Sequence, residues 1–292
     1  MLGSLHYLTL SEPSNPAQPR HLAYWQWGDP YNPRVIVCVH GLSRNGRDFD
    51  TLAQALASEY RVLCPDMAGR GKSDWLTRKT DYNYPLYMAD TMAFLDQMRL
   101  EQVTWIGTSM GGIIGMMLAA QQPQRISRMV LNDVGAIVSA KGLKRILNYV
   151  GSGNIFANAD EAMAYLKPII TPWGIASEEQ WQKMFAASFT ALPDGRYALA
   201  YDPDISQPFK EATSKADTIA DIDLSMVWNA IACPVLILRG SNSDILTHDT
   251  ALAMCQRAVP TKLVEFEGAG HAPALLDDTQ IRPIVDWLDI RP

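Results

Sequence analysis

Cysteine is scarce in this chain and badly placed for staples. There are four among 292 residues, at positions 38, 64, 233 and 255, and no CxxC pair. Cys38, Cys64 and Cys233 lie in or beside apolar runs, so buried free thiols are expected rather than disulfides or a metal centre. The five histidines do not fall at zinc-ligand spacing. No apolar run approaches the ~18 residues needed to cross a bilayer, so no membrane span is expected. The opening stretch "MLGSLHYLTLSEPSN" lacks the basic start and apolar block of a secretion signal, which points to the cytoplasm. Basic residues are not in excess: Lys and Arg number 25 against 31 Asp and Glu, a net charge of −6, which argues against nucleic acid as a partner. Internal repeats and low-complexity tracts are missing too. What remains is 48% apolar and 19% charged residues, an ordinary globular balance. The length suits one large domain carrying an insertion.

Apolar runs then set the architecture. Segments 5–10 and 21–27 read as an opening pair of strands joined by the Pro-rich loop "SEPSNPAQPR". Six further runs, "RVIVCVH" (34–40), "RVLCPD" (61–66), "VTWIG" (103–107), "RMVLND" (128–133), "PVLILRG" (234–240) and "KLVEF" (262–266), fit strands covered on both faces. Helical patterns at 46–57, 84–98, 111–122, 249–257 and 274–289 alternate with them. This alternation predicts an α/β fold with a doubly wound, mostly parallel, eight-stranded sheet flanked by helices. It breaks over 135–230, where loop signals and short amphipathic pieces carry Trp173, Trp181 and Trp228. We read 135–230 as a helical cap inserted after the sixth strand, with 1–134 and 231–292 as the core.

Chemistry should follow the strand ends, because ligands of such sheets bind there. Gly107-Thr108-Ser109-Met110-Gly111 stands between a strand and a helix, a G-x-S-x-G turn in the context that exposes a nucleophilic serine. Gly112 extends it. A serine needs a base, and the base needs an orienting acid. His271 follows the run at 262–266, flanked by Gly268 and Gly270, and Asp244 follows the run at 234–240. The backbone N–H groups of Leu42 and Met110 are the candidate oxyanion donors, with His40 and Gly41 shaping the loop around Leu42. Arg44 and Arg47 invite a carboxylate-binding role; pairing with Asp48 or Asp50 is the simpler reading. "DMAGRGKSD" fails the phosphate-loop pattern, because Gly69 and Gly71 stand too close to Lys72, and Asp66 there reads as structural.

With "HGLSRNGRDF" (40–49), "PDMAGRGKSD" (65–74), "GTSMGG" (107–112), "GSNSDIL" (240–246) and "GAGHAP" (268–273), the chain resembles the α/β-hydrolase superfamily, in its cap-bearing serine group of esterases, C–C hydrolases, lactonases and haloperoxidases. The resemblance implies Ser109 as nucleophile, His271 as base and Asp244 as acid, with some members taking the acid from the strand end where Asp133 stands. It implies a carboxylic ester hydrolase acting on a small-molecule ester or related acyl substrate, with no cofactor and no metal, and allows a homodimer. C–C cleavage, enol-lactone opening and perhydrolysis share the machinery. A ligand-binding receptor that has lost catalysis is the reading from another class. Dehalogenases and epoxide hydrolases need a carboxylate where Ser109 stands.

Overall fold

The computed structural model describes residues 3–214 and 219–289; residues 215–218 of the expected insertion lie outside them. In chain order the strands are β1 (Ser4–Glu12), β2 (Asn15–Trp27), β3 (Val35–Val39), β4 (Arg61–Pro65), β5 (Val103–Thr108), β6 (Ile126–Asn132), β7 (Ile137–Val138), β8 (Ile155–Phe156), β9 (Phe189–Ala191), β10 (Tyr197–Leu199), β11 (Ile222–Asp223), β12 (Val235–Gly240) and β13 (Thr261–Phe266). The helices are α1 (Asp50–Leu56), α2 (Tyr84–Gln97), α3 (Met110–Gln121), α4 (Ala140–Leu147), α5 (Ala159–Ile170), α6 (Glu178–Ser188), α7 (Gln207–Ser214), α8 (Ser225–Asn229), α9 (His248–Met254) and α10 (Asp278–Asp289).

Eight strands form the main sheet in the order β1-β2-β4-β3-β5-β6-β12-β13. β1 and β4 each pair antiparallel with β2, and the remaining neighbours are parallel. Successive residues of the inner strands feed opposite cores. Trp105, Leu131 and Ile237 join the core on one face, while Ile106, Val130 and Leu236 join the other. Burial on both faces is why these strands read as unbroken apolar runs instead of alternating ones. From β3 the chain steps one way to β4 and then back to β5, so the winding reverses at the β3–β5 pair. At such a reversal a crevice opens beyond the strand ends. His40-Gly41-Leu42 leaves β3 there, and Ser109 leaves β5 beside it.

One expected loop is strand. The β1–β2 ladder continues past Leu10 to Ser11↔Pro19 and Glu12↔Asn15, through a register shift. Pro16 and Pro19 fit because β2 meets β4 only over Tyr24–Trp27, leaving its first half with one neighbour.

Between β6 and β12 the chain makes the inserted segment. Antiparallel pairing of β7 with β11 ties its exit to its return. It is not purely helical: β8, β10 and β9 form a three-stranded sheet that contacts α5 and α6. Strands of two or three residues are too short to display a period-two pattern, so they escape a sequence reading. Trp228, on α8, is buried with the Arg257 guanidinium 3.9 Å from its ring centre, while Trp181 is half-buried. Among the described residues no helix is long and apolar enough to cross a membrane. Cys38, Cys64 and Cys233 are buried free thiols, and Cys255 is half-buried.

Candidate active site

The turn between β5 and α3 forces Ser109 into φ 50° and ψ −113°, a region that L-residues rarely enter. Three hydrogen bonds hold it there. Its amide donates to the Asn132 carbonyl (3.0 Å), and its carbonyl accepts from the amides of Gly112 (2.9 Å) and Ile113 (3.1 Å). The neighbouring glycines are steric necessities. A Cβ on Gly107 would lie 2.4 Å from the Gly111 carbonyl oxygen, and one on Gly111 would lie 2.0 Å from that of Val39.

His271 arrives from the loop after β13. Its Nε2 lies 3.0 Å from Ser109 Oγ, and its Nδ1 lies 2.7 Å from Asp133 Oδ2. Asp133, the first residue past β6, has φ 58° and is fully buried. The carboxylate also accepts from the Gly240 amide (2.9 Å) and from Ser243 Oγ (2.5 Å). Those donors come from β12 and the loop behind it, so a second strand end clamps the acid.

This corrects the expected acid. Asp244 does not contact His271. It makes a two-pronged pair with Arg145 of α4, at 2.6 and 2.7 Å. Burial acts to raise the Asp244 pKa, but the Arg145 hydrogen bond and charge outweigh it and hold the carboxyl below its ordinary value. The inserted segment thus occupies Asp244, while the end of β6 turns Asp133 toward the imidazole. Chain order did not separate the two, since Ser-Asp-His describes either choice. Ser243, in "SNSD", was missed; a serine beside an aspartate in a loop carries no signal of the distant carboxylate that it serves.

The candidate oxyanion donors can be placed through their peptide planes. The carbonyl opposite the Leu42 N–H is that of Gly41, which accepts from His40 Nδ1 (2.7 Å) and the Arg44 amide (3.2 Å). The carbonyl opposite the Met110 N–H is that of Ser109, held by the start of α3. In a trans peptide the N–H points away from its carbonyl, so both clamps aim N–H groups away from their anchors. His40 shapes the loop, as expected. The Met67 amide donates to His40 Nε2 (2.9 Å), which leaves the proton on Nδ1. Burial lowers the His40 pKa to about 3, with the charges of Arg70 and Arg44 adding to the effect. The ring is therefore neutral at any working pH.

Arg44 pairs with Asp48 at 2.6 and 2.8 Å and donates to Ser188 Oγ (2.6 Å), while Arg47 pairs with Asp50. Asp66 is structural: its carboxylate accepts from the amides of Gly46 (2.7 Å) and Lys72 (2.8 Å). Two cavities meet at Ser109, Leu42 and Ile146. One also touches His271, Tyr149 and Trp173. The other runs between Met110, Tyr84 and Leu143 and is mostly apolar. No group of three or more His, Cys, Asp or Glu placed to hold a metal occurs among the described residues.

Relatives share this fold. The model of the alpha/beta hydrolase family matches residues 36–283. A 3-hydroxybutyrate-oligomer hydrolase of Cupriavidus necator is 42% identical over 270 residues, covering 91% of this chain and 92% of that protein. The solved structure of an alpha/beta hydrolase from Novosphingobium aromaticivorans superposes with a TM-score of 0.86 at 36% identity, over 98% of both chains. A Rickettsia typhi protein superposes at 0.89 with 34% identity over the whole of both chains. A match running from β3 into α10, across every strand end that carries the site, leaves one conclusion: the chain belongs to the alpha/beta hydrolase family.

Proposed function

We propose that this protein cleaves carboxylic esters of short hydroxyacid oligomers through an acyl intermediate on Ser109. The observation that carries the reading is the unbroken hydrogen-bonded line Ser109–His271–Asp133 at the meeting point of two cavities. His271 Nε2 takes the hydroxyl proton as Ser109 Oγ attacks the ester carbonyl. Asp133 keeps the other ring nitrogen protonated and stabilises the imidazolium. The N–H groups of Leu42 and Met110 receive the oxyanion. His271 then protonates the departing alcohol, and water repeats the sequence on the acyl-serine.

The substrate class rests on two supports. The Cupriavidus necator relative hydrolyses 3-hydroxybutyrate oligomers, by its name, and it aligns with most of this chain. Two cavities that meet at Ser109 suit an ester with a group on both its acyl and its alcohol side. The test is turnover of the 3-hydroxybutyrate dimer and trimer beside p-nitrophenyl butyrate, an enol-lactone and a vinylogous diketone. The oligomers should be preferred, and Ser109→Ala should lose about 10⁴-fold or more in kcat. Full activity in that variant would remove the acyl-serine, and preference for the lactone or diketone would replace the substrate class.

A further inference from the structure

Arg70, in the Gly-rich stretch after β4, is fully buried. Among the described residues it has no carboxylate within ion-pair distance, unlike the buried Arg20, which pairs with Asp90. A buried cation without a counterion is costly unless neutral groups hold it. Here Nη1 donates to the Ala68 carbonyl (2.7 Å) and to the Tyr87 hydroxyl (2.8 Å), and the rings of Tyr82 and Tyr87 lie 5.5 and 5.0 Å from the guanidinium carbon. The remaining two contacts go to the two residues whose N–H groups would meet an oxyanion. Nε donates to the Leu42 carbonyl (2.9 Å), and Nη2 lies 3.8 Å from Met110 Sδ.

We propose that Arg70 is a positioning residue for ester cleavage: one planar fork holds Leu42 and Met110 in register, and its uncompensated charge lies beside the pair when negative charge develops on the substrate. This rests on the acyl-serine reading above. Leu42 is held from both sides, by the Gly41 carbonyl at its N-terminal peptide and by Arg70 at its own carbonyl. A neutral side chain at position 70 would keep neither the register nor the charge. An ammonium would keep the charge but not the fork, since it cannot reproduce the fixed planar spread of donors.

The test compares wild type, Arg70→Met and Arg70→Lys on p-nitrophenyl butyrate, with inhibition by a trifluoromethyl ketone, which forms an anionic adduct on a reactive serine, and by the corresponding trifluoromethyl carbinol, which is neutral and has no carbonyl to attack. Arg70→Met should lose about 10- to 100-fold in kcat, with KM within about threefold and ketone affinity falling in proportion. Inhibition by the carbinol should hardly change. Arg70→Lys should lose about 3- to 10-fold in both kcat and ketone affinity, and it decides the matter if the Met variant does not fold. A folded Lys variant equal to wild type in both, or losses confined to KM, would overturn the proposal. A wild type that neither turns over the ester nor binds the ketone would instead overturn the acyl-serine reading.

Discussion

An imidazole keeps the right tautomer only if the carboxylate behind it is itself held still. Asp133 meets that condition, with two further donors from Gly240 and Ser243 and no exposure to water. Asp244 is held elsewhere, by Arg145. The two aspartates therefore predict opposite outcomes. Asp133→Asn should reduce kcat/KM by about 10³- to 10⁴-fold, because the amide can present a donor where the ring needs an acceptor. Asp244→Asn removes one partly exposed ion pair, of the kind that contributes about 1 kcal/mol or less, and should leave activity within roughly tenfold. Steady-state kinetics on one ester checks both, and the reverse ranking would return the acid role to Asp244. Both candidates were legible in sequence as aspartates after apolar runs. The choice between them was not, because it depends on where Arg145, 99 residues before Asp244, comes to lie.

Helix α3 carries the site at its first turn and must lie close against the sheet to do so. The Trp105 indole donates to the Gly111 carbonyl (3.0 Å), and a Cβ on Gly115 would lie 2.2 Å from that indole nitrogen. Gly111 faces the Val39 carbonyl, one residue before the loop that carries Leu42. A methyl there has no flexible neighbour to displace. Gly111→Ala should destabilise the fold by about 1–3 kcal/mol, as overpacking does, and move the elbow away from His271. Urea unfolding midpoints, with activity measured on the fraction still folded, test this. A variant as stable and as active as wild type would show that α3 has room to retreat. The glycines of this turn were readable because steric demand is local. The pairing of β7 with β11, which closes the inserted segment, was not, since a two-residue strand has no pattern of its own.

Across the whole molecule, buried carboxylates set how stability answers to pH. Burial raises the Asp50 pKa to about 6, although Arg47 acts to lower it, and raises that of Asp66 to about 6 against its two backbone donors. A group whose folded pKa lies above its unfolded value binds protons more tightly in the folded state. Its stabilising contribution is present in full below about pH 4, the unfolded value, and is lost as pH rises through about 6. Wild type should therefore gain stability relative to Asp50→Asn as pH falls from 7 to about 4.5, by an amount on the order of 2 kcal/mol. Urea titrations of both proteins at the two pH values measure it, and parallel responses would place the Asp50 carboxylate in water.

Sequence alone determined what depends on near neighbours in the chain. Runs of Val, Ile and Leu specify strands covered on both faces, Pro123 ends α3, and the glycines around Ser109 specify a tight strand-to-helix turn. These are matters of local sterics and of apolar surface seeking cover, and they were enough to specify the sheet and the tight turn at Ser109. Tertiary structure alone decided which aspartate faces His271, that the insertion contains a small sheet, and that Arg70 lies between Leu42 and Met110. Each of these depends on a carboxylate, a strand edge or a guanidinium finding its partner across a distance in sequence that no local pattern encodes.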